Sequence, residues 1–221
     1  MSGGVYKVIT PVSEEPIALA DAKAWLRVDF SDDDTVISGL ITRVRGIGET
    51  ISGRAFATQQ IQELYTIDRP TGGELSGPVN RGPNWYKYQE QLGANPFGAA
   101  QFYFDLSVAP VQTDQTFLMQ TKTTAFDQWA TFPQFTNPDG STNIWIDDTS
   151  EPARVYVQDP LTVNFWLFTY WSGYGFGGLP PDLQQAMFDG LAFFYQNREA
   201  EDLPPGLLQK FLAKREATAW I

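Results

Sequence analysis

Apolar positions follow three regimes along the chain. After Pro16, Leu19, Ala22, Trp25 and Leu26 recur at three- and four-residue spacing with Asp21, Lys23 and Arg27 between them, which predicts a short amphipathic helix. Its start is weak, because Ala18 at the N-cap offers no side-chain oxygen to the free amides, although Asp21 suits the positive end of the dipole. A second, longer helix opens at Ser31-Asp32-Asp33-Asp34 and carries Val36, Ile37, Leu40, Ile41, Val44, Ile47 and Ile51 on one stripe, ending near Gly53. Gly46 and Gly48 lie inside it at about 1 kcal/mol each relative to alanine, so they either admit a close neighbour or shorten the regular part.

From Gln59 the period changes to short aromatic and β-branched runs separated by Gly, Pro, Asn and Asp. Six strands are predicted: Ile61 to Ile67, Gln101 to Val108, Thr116 to Thr123, Thr142 to Asp147, Arg154 to Gln158 and Leu161 to Trp171. Pro70 to Ala100, rich in Gly, Pro and Asn and containing Trp85, Tyr86 and Tyr88, reads as one long loop, a length usually tied to function or disorder. Helical spacing returns after the glycines at 173, 175, 177 and 178. Pro180-Pro181-Asp182 opens a stripe of Leu183, Ala186, Met187, Leu191, Phe194 and Tyr195; Asp202 to Pro205 breaks it, and Leu207, Leu208, Phe211 and Leu212 form a last short helix. The expected fold class is α+β: a helical bundle formed by the N- and C-terminal helices (residues 1–58 and 179–221) with an antiparallel β region, 59–178, inserted in sequence between them.

Composition narrows the chemistry. With 0 Cys and 0 His, thiol nucleophiles, disulfides, Cys/His zinc sites and imidazole acid–base catalysis are excluded. The 43% hydrophobic and 19% charged composition is that of a chain that folds, and the aromatic share of 14% suits strands and large buried contacts. A formal net charge of -11 opposes tight binding to nucleic-acid phosphates, while suiting a surface that DNA slides past. The opening Met1 to Lys7 lacks the charged-then-apolar pattern of a secretory signal, and no apolar run reaches the roughly 20 residues needed to span a bilayer. Synthesis in a host cytoplasm and no membrane role are expected.

Each candidate motif has a plainer reading beside it. Asp32, Asp33 and Asp34 lack the alternation, central Gly and distal Glu of a calcium loop and read as capping residues at a helix start. Asp147 and Asp148, with Glu151, are poorly placed as a catalytic pair, because neighbours on a strand point to opposite faces; a solvated strand end fits better. Gly173-Tyr174-Gly175-Phe176-Gly177-Gly178 lacks the Lys-Ser/Thr of a phosphate loop and reads as a strand-to-helix turn. Arg43, Arg45 and Arg54 fit a phosphate or acidic partner, or a solvated helix face. Trp85, Tyr86 and Tyr88, and Trp129, Phe132 and Phe135, are sugar-stacking platforms or protein anchors if exposed and core if buried. No catalytic, metal or cofactor site is expected, and no enzyme activity.

The run Ile17-Ala18-Leu19-Ala20-Asp21-Ala22-Lys23-Ala24-Trp25-Leu26-Arg27-Val28, then Asp33-Asp34, then Ser52-Gly53-Arg54-Ala55 resembles the opening of the head-tail connector (adaptor) family of tailed bacteriophages. The far end is similar too: Val108-Ala109-Pro110-Val111-Gln112, Tyr170-Trp171-Ser172-Gly173-Tyr174-Gly175, Pro181, and Tyr195-Gln196-Asn197-Arg198-Glu199. Ala18 stands where the family usually has Ser or Thr, and the stretch from Pro70 to Ala100 has no counterpart. The resemblance implies a virion protein of the head-tail junction: a ring of about twelve copies docked beneath the portal protein, extending the DNA channel and offering a platform to the tail terminator or next neck protein, with genomic DNA passing unread. Within it, Gly173, Tyr174, Gly175, Phe176, Trp220 and Ile221 are expected to touch neighbouring subunits or the portal. The alternative from a different class is a carbohydrate-binding or host-recognition β module, suggested by the aromatics and acidic patches.

Overall fold

The computed structural model describes residues 5–66, 100–132, 144–149, 153–159 and 164–217. They form four helices and two antiparallel sheets, a mixed α+β chain, in the order β1 (Val5–Thr10), α1 (Leu19–Leu26), α2 (Asp34–Ser52), β2 (Gln59–Thr66), β3 (Ala100–Asp105), β4 (Leu118–Lys122), β5 (Ala130–Thr131), β6 (Ile144–Asp147), β7 (Arg154–Asp159), β8 (Phe165–Ser172), α3 (Pro181–Gln196) and α4 (Pro205–Ala217). The chain divides into two compact units, one of strands and one of helices.

In the helical unit the predicted stripes become the core. Ile37, Ile41 and Val44 of α2 are buried with Leu183, Met187, Leu191 and Phe194 of α3 and with Phe211 of α4. The two helical glycines behave differently. A Cβ on Gly48 would run into the rings of Phe56 and Phe211, whereas one on Gly46 would meet nothing within 4 Å. Gly48 therefore admits a close neighbour, and α2 runs unbroken through both positions. As expected, Ala18 makes no side-chain cap, and α2 ends at Gly53 with φ 69°. Arg27 closes α1 at φ 58°, a conformation glycine usually takes.

The aspartates at the start of α2 do not cap it, contrary to the expectation from sequence. Asp33 occupies the N-cap without a side-chain bond to the helix. Its Oδ2 instead accepts from the Tyr195 hydroxyl at 2.6 Å and from Arg198 at 3.4 Å, and Asp34 accepts from Lys23 Nζ at 2.5 Å. Local sequence offers a carboxylate to nearby amides, but the packed helices bring charged and hydroxyl donors that compete for it.

The β unit holds a five-stranded sheet of order β1-β2-β8-β4-β5 and a three-stranded sheet of order β3-β7-β6. The five-stranded sheet begins with a strand that the hydrophobic pattern does not announce: Val5–Thr10 pairs antiparallel with β2, Val5 opposite Leu64 and Val8 opposite Ile61, with an irregularity between Val8 and Thr10. β5, two residues opposite Gln120 and Thr121, is equally unannounced. β2 alternates strictly between buried and half-exposed positions. Its inward face carries Ile61, Glu63 and Tyr65 beside Trp166, Phe168 and Tyr170 of β8, all buried. Phe104 of β3 reaches this core, its ring centroid 4.9 Å from that of Phe168 and 5.3 Å from that of Trp166.

Candidate interaction surfaces

Arg43, Arg45 and Arg54 are bound within the helical unit, which departs from both readings of them, a solvated helix face and a phosphate or acidic-partner site. The Arg43 guanidinium lies 3.9 Å over the Phe194 ring and donates to the carbonyls of Ala200, at 2.9 Å, and Glu201. Arg45 donates to Glu15 at 2.7 Å and Glu49 at 2.8 Å. Burial works against its charge, yet the two carboxylates hold its pKa above the ordinary value. Arg54 is buried and donates to the Tyr174 hydroxyl at 2.8 Å.

That last bond belongs to the Gly-rich turn, which does connect a strand to a helix, β8 to α3. Gly173, Gly175 and Gly177 all have positive φ, and a Cβ on Gly173 (φ 123°) would strike the Ala57 carbonyl. Gly173 N–H donates to Pro110 O at 2.9 Å, and Ala55 N–H to Ala109 O at 2.8 Å, so the segment around Pro110 is laced to both flanking stretches. Of the four turn residues singled out from sequence, Tyr174 packs inward on the helical core, while Phe176 is 58% exposed. Trp85, Tyr86, Tyr88, Trp220 and Ile221 lie outside the described residues.

The β unit contains a buried carboxylate that sequence reasoning passed over. Glu63 is fully buried and accepts hydrogen bonds from the Ser107 backbone N–H (3.0 Å) and hydroxyl, the Tyr65 hydroxyl (2.8 Å) and the Tyr170 hydroxyl (2.9 Å). Burial first, and then the charge of Glu63, pushes the Tyr65 phenol well above its ordinary range. The signal was present: period two puts Glu63 on the same face as Ile61 and Tyr65. Closed to solvent and surrounded by donors, this carboxylate ties β2 to β8 and to Ser107. Asp147 acts locally, as expected of a strand end, accepting from the Thr149 N–H at 3.0 Å and hydroxyl at 2.6 Å.

Two aromatic features face outward from the β unit. Tyr103, Tyr156 and Trp145 lie opposite one another across β3, β7 and β6, with centroids 5.8 and 4.9 Å apart and Trp145 59% exposed. Phe126, in the turn between β4 and β5, is 96% exposed, and no sequence pattern marks it. Phe132, of the second aromatic group noted in the sequence, is buried against Trp166 at 5.2 Å; Phe135 lies outside the described residues. Among the described residues no group of three or more acidic side chains is placed to hold a metal ion, and no helix is long and apolar enough to cross a membrane.

Chains with a similar mixed α+β fold occur in solved particle structures. The protein superposes on a chain in the neck of an empty gene transfer agent (GTA) particle computed with C6 symmetry, with a TM-score of 0.59 and 14% identity over 96% of this chain and 94% of that one. A chain in the virion of a native GTA particle superposes with a TM-score of 0.56 and 16% identity over 95% and 93%. No protein-family profile and no curated protein sequence matches the chain.

Proposed function

We propose that this chain is a structural head-tail adaptor: one subunit of a ring, of about twelve copies, that docks beneath a portal, continues the DNA channel and receives the next tail component. The observation carrying this reading is the end-to-end likeness to a GTA neck chain, which spans both units rather than one motif. The order of the connector-like segments in the sequence supports it independently. We read the helices of the 1–58 and 179–221 segments as working together in one helical bundle with 59–178 inserted, β1 of the first segment going to the sheet instead, in keeping with a core drawn from Ile17 through Phe211. The role is non-catalytic: the buried Glu63 is enclosed by its own donors and has no access for a substrate. The acidic balance suits a lumen through which DNA passes without adhering.

The test is negative-stain electron microscopy of particles carrying a tag on this chain, with the solution mass of the purified protein alongside. A ring of label at the portal–tail junction is the expected result; label at fibre tips, or on no particle, overturns the adaptor reading. Among the described residues the exposed Trp145 stripe favours a carbohydrate-contact role, and under the adaptor reading Trp fluorescence stays unchanged on titration with host-surface glycans.

A further inference from the structure

The five-stranded sheet ends at β1 on one side and β5 on the other, and among the described residues no strand pairs with the outer edge of either. An open edge presents backbone N–H and C=O groups that pair with further extended chain. β1 buries none of its side chains: Val5 is 79% exposed, and Tyr6, Val8 and Ile9 are exposed as well. Successive residues point to opposite faces, so the strand is apolar on both, unlike an edge meant to face water. Its single charge is Lys7.

The opposite end of the sheet is complementary. The turn between β4 and β5 is held by Thr124 N–H donating to Asp127 Oδ2 at 2.6 Å and Asp127 N–H donating to Thr124 O at 3.3 Å. Lys122 Nζ donates to Ala125 O at 3.0 Å and sits 4.7 Å over the Trp129 ring. The backbone that presents Phe126 outward is thereby held before any partner arrives, so docking the ring orders little new backbone. The backbone bond from Thr124 holds the Asp127 carboxyl below its usual range, leaving it an anion beside the exposed phenyl ring.

We infer that β1 of one copy docks on the β5 edge of the next, with Val5 to Val8 against the Phe126 turn and Lys7 beside Asp127. This rests on the ring reading above and names its subunit contact. A second copy is the occupant because one chain carries both halves: an apolar strand edge with a cation, and a rigid turn with an aromatic ring and an anion. The halves cannot meet within one copy, since three strands separate β1 from β5, roughly 19 Å at a strand spacing of about 4.8 Å. A contact that uses two different surfaces, repeated head to tail, builds a ring when the rotation from copy to copy closes and a filament when it does not; the ring reading above takes the closed case. β5 contributes only Ala130 and Thr131, so the Phe126 contact holds the incoming strand alongside the backbone pairing.

The chain has 0 Cys, which makes cross-linking unambiguous. Particles carrying the double variant Lys7→Cys/Asp127→Cys, which joins the two residues the contact places side by side, oxidised and run on a denaturing gel without reductant, should give a ladder of covalent multimers; either single variant should give only monomer. Dimers from Lys7→Cys alone would mean β1–β1 pairing and overturn the inference. As a second readout, Phe126→Asp should weaken ring assembly about tenfold or more with unchanged circular dichroism. Tagged rings at the junction that give no ladder and tolerate Phe126→Asp would overturn this contact and leave the adaptor reading standing. Absence of the wild-type chain from particles would remove both.

Discussion

The two units bury different things. The helical unit closes over aliphatic and aromatic side chains and holds its ions in bonds around that core rather than within it, as in Arg45 between Glu15 and Glu49 or Asp33 bound to Tyr195. The β unit places a carboxylate among aromatic rings, where Glu63 accepts from two tyrosines and Ser107. An apolar core tolerates exchange of shapes at a cost set by the void left behind; a polar network fails when one member leaves, because the remaining donors stay buried without partners. One unit should therefore respond to volume and the other to hydrogen-bond chemistry.

The largest effect that would test this contrast is Phe56→Ala, which removes a fully buried ring stacked on Phe211. A loss of about 3–5 kcal/mol is expected, read by denaturant unfolding, with amide exchange rising in α2, α3 and α4 before the strands. Equal acceleration in β2 and β8 would show that the two cores do not respond separately.

Next is Glu63→Ala, expected to cost about 2–3 kcal/mol, with Glu63→Leu no better because filling the volume still takes the acceptor from the Ser107 N–H, while the Tyr65 hydroxyl keeps the Asp105 carbonyl. If the leucine variant restores stability, the network adds nothing beyond space filling. Alkaline titration sharpens this case. The Tyr65 phenol keeps its proton in the folded state to a pH well above the ordinary value of 10.0, so the unfolded chain loses its proton first. Its contribution is complete below pH 10.0 and declines as pH rises beyond it. Tyr65→Phe should flatten the fall in melting temperature above that pH, although it loses the hydrogen bonds at neutrality.

The smallest effect separates two glycines two residues apart on α2. Gly46→Ala should stabilise by up to about 1 kcal/mol, since its Cβ enters open space, while Gly48→Ala should destabilise by pressing on Phe56 and Phe211. The same sign for both would remove the packing distinction between them.

The helices were largely readable because each carries its own period: the α2 and α3 stripes named the residues that form the core. β2 was readable for the same reason, and its alternation even marked Glu63 as inward-facing. β1 was not, since a strand with every side chain exposed or half-exposed has no alternation to show and exists through its pairing with β2. Phe126 was hidden among aromatics that the fold buries, such as Phe132 and Phe168, because residue type alone does not say which ring meets solvent.

By itself the sequence determined the mixed α+β class, the placement of four helices and most strands, and the absence of imidazole and thiol chemistry, because propensity, periodicity and composition are local quantities. Only the tertiary structure decided where the charges went: Arg43, Arg45 and Arg54 into internal bonds, Asp33 and Asp34 away from capping, Glu63 into a closed network. Those outcomes depend on which donors and acceptors lie within about 3 Å of one another, often from segments more than a hundred residues apart, and no local pattern encodes that distance.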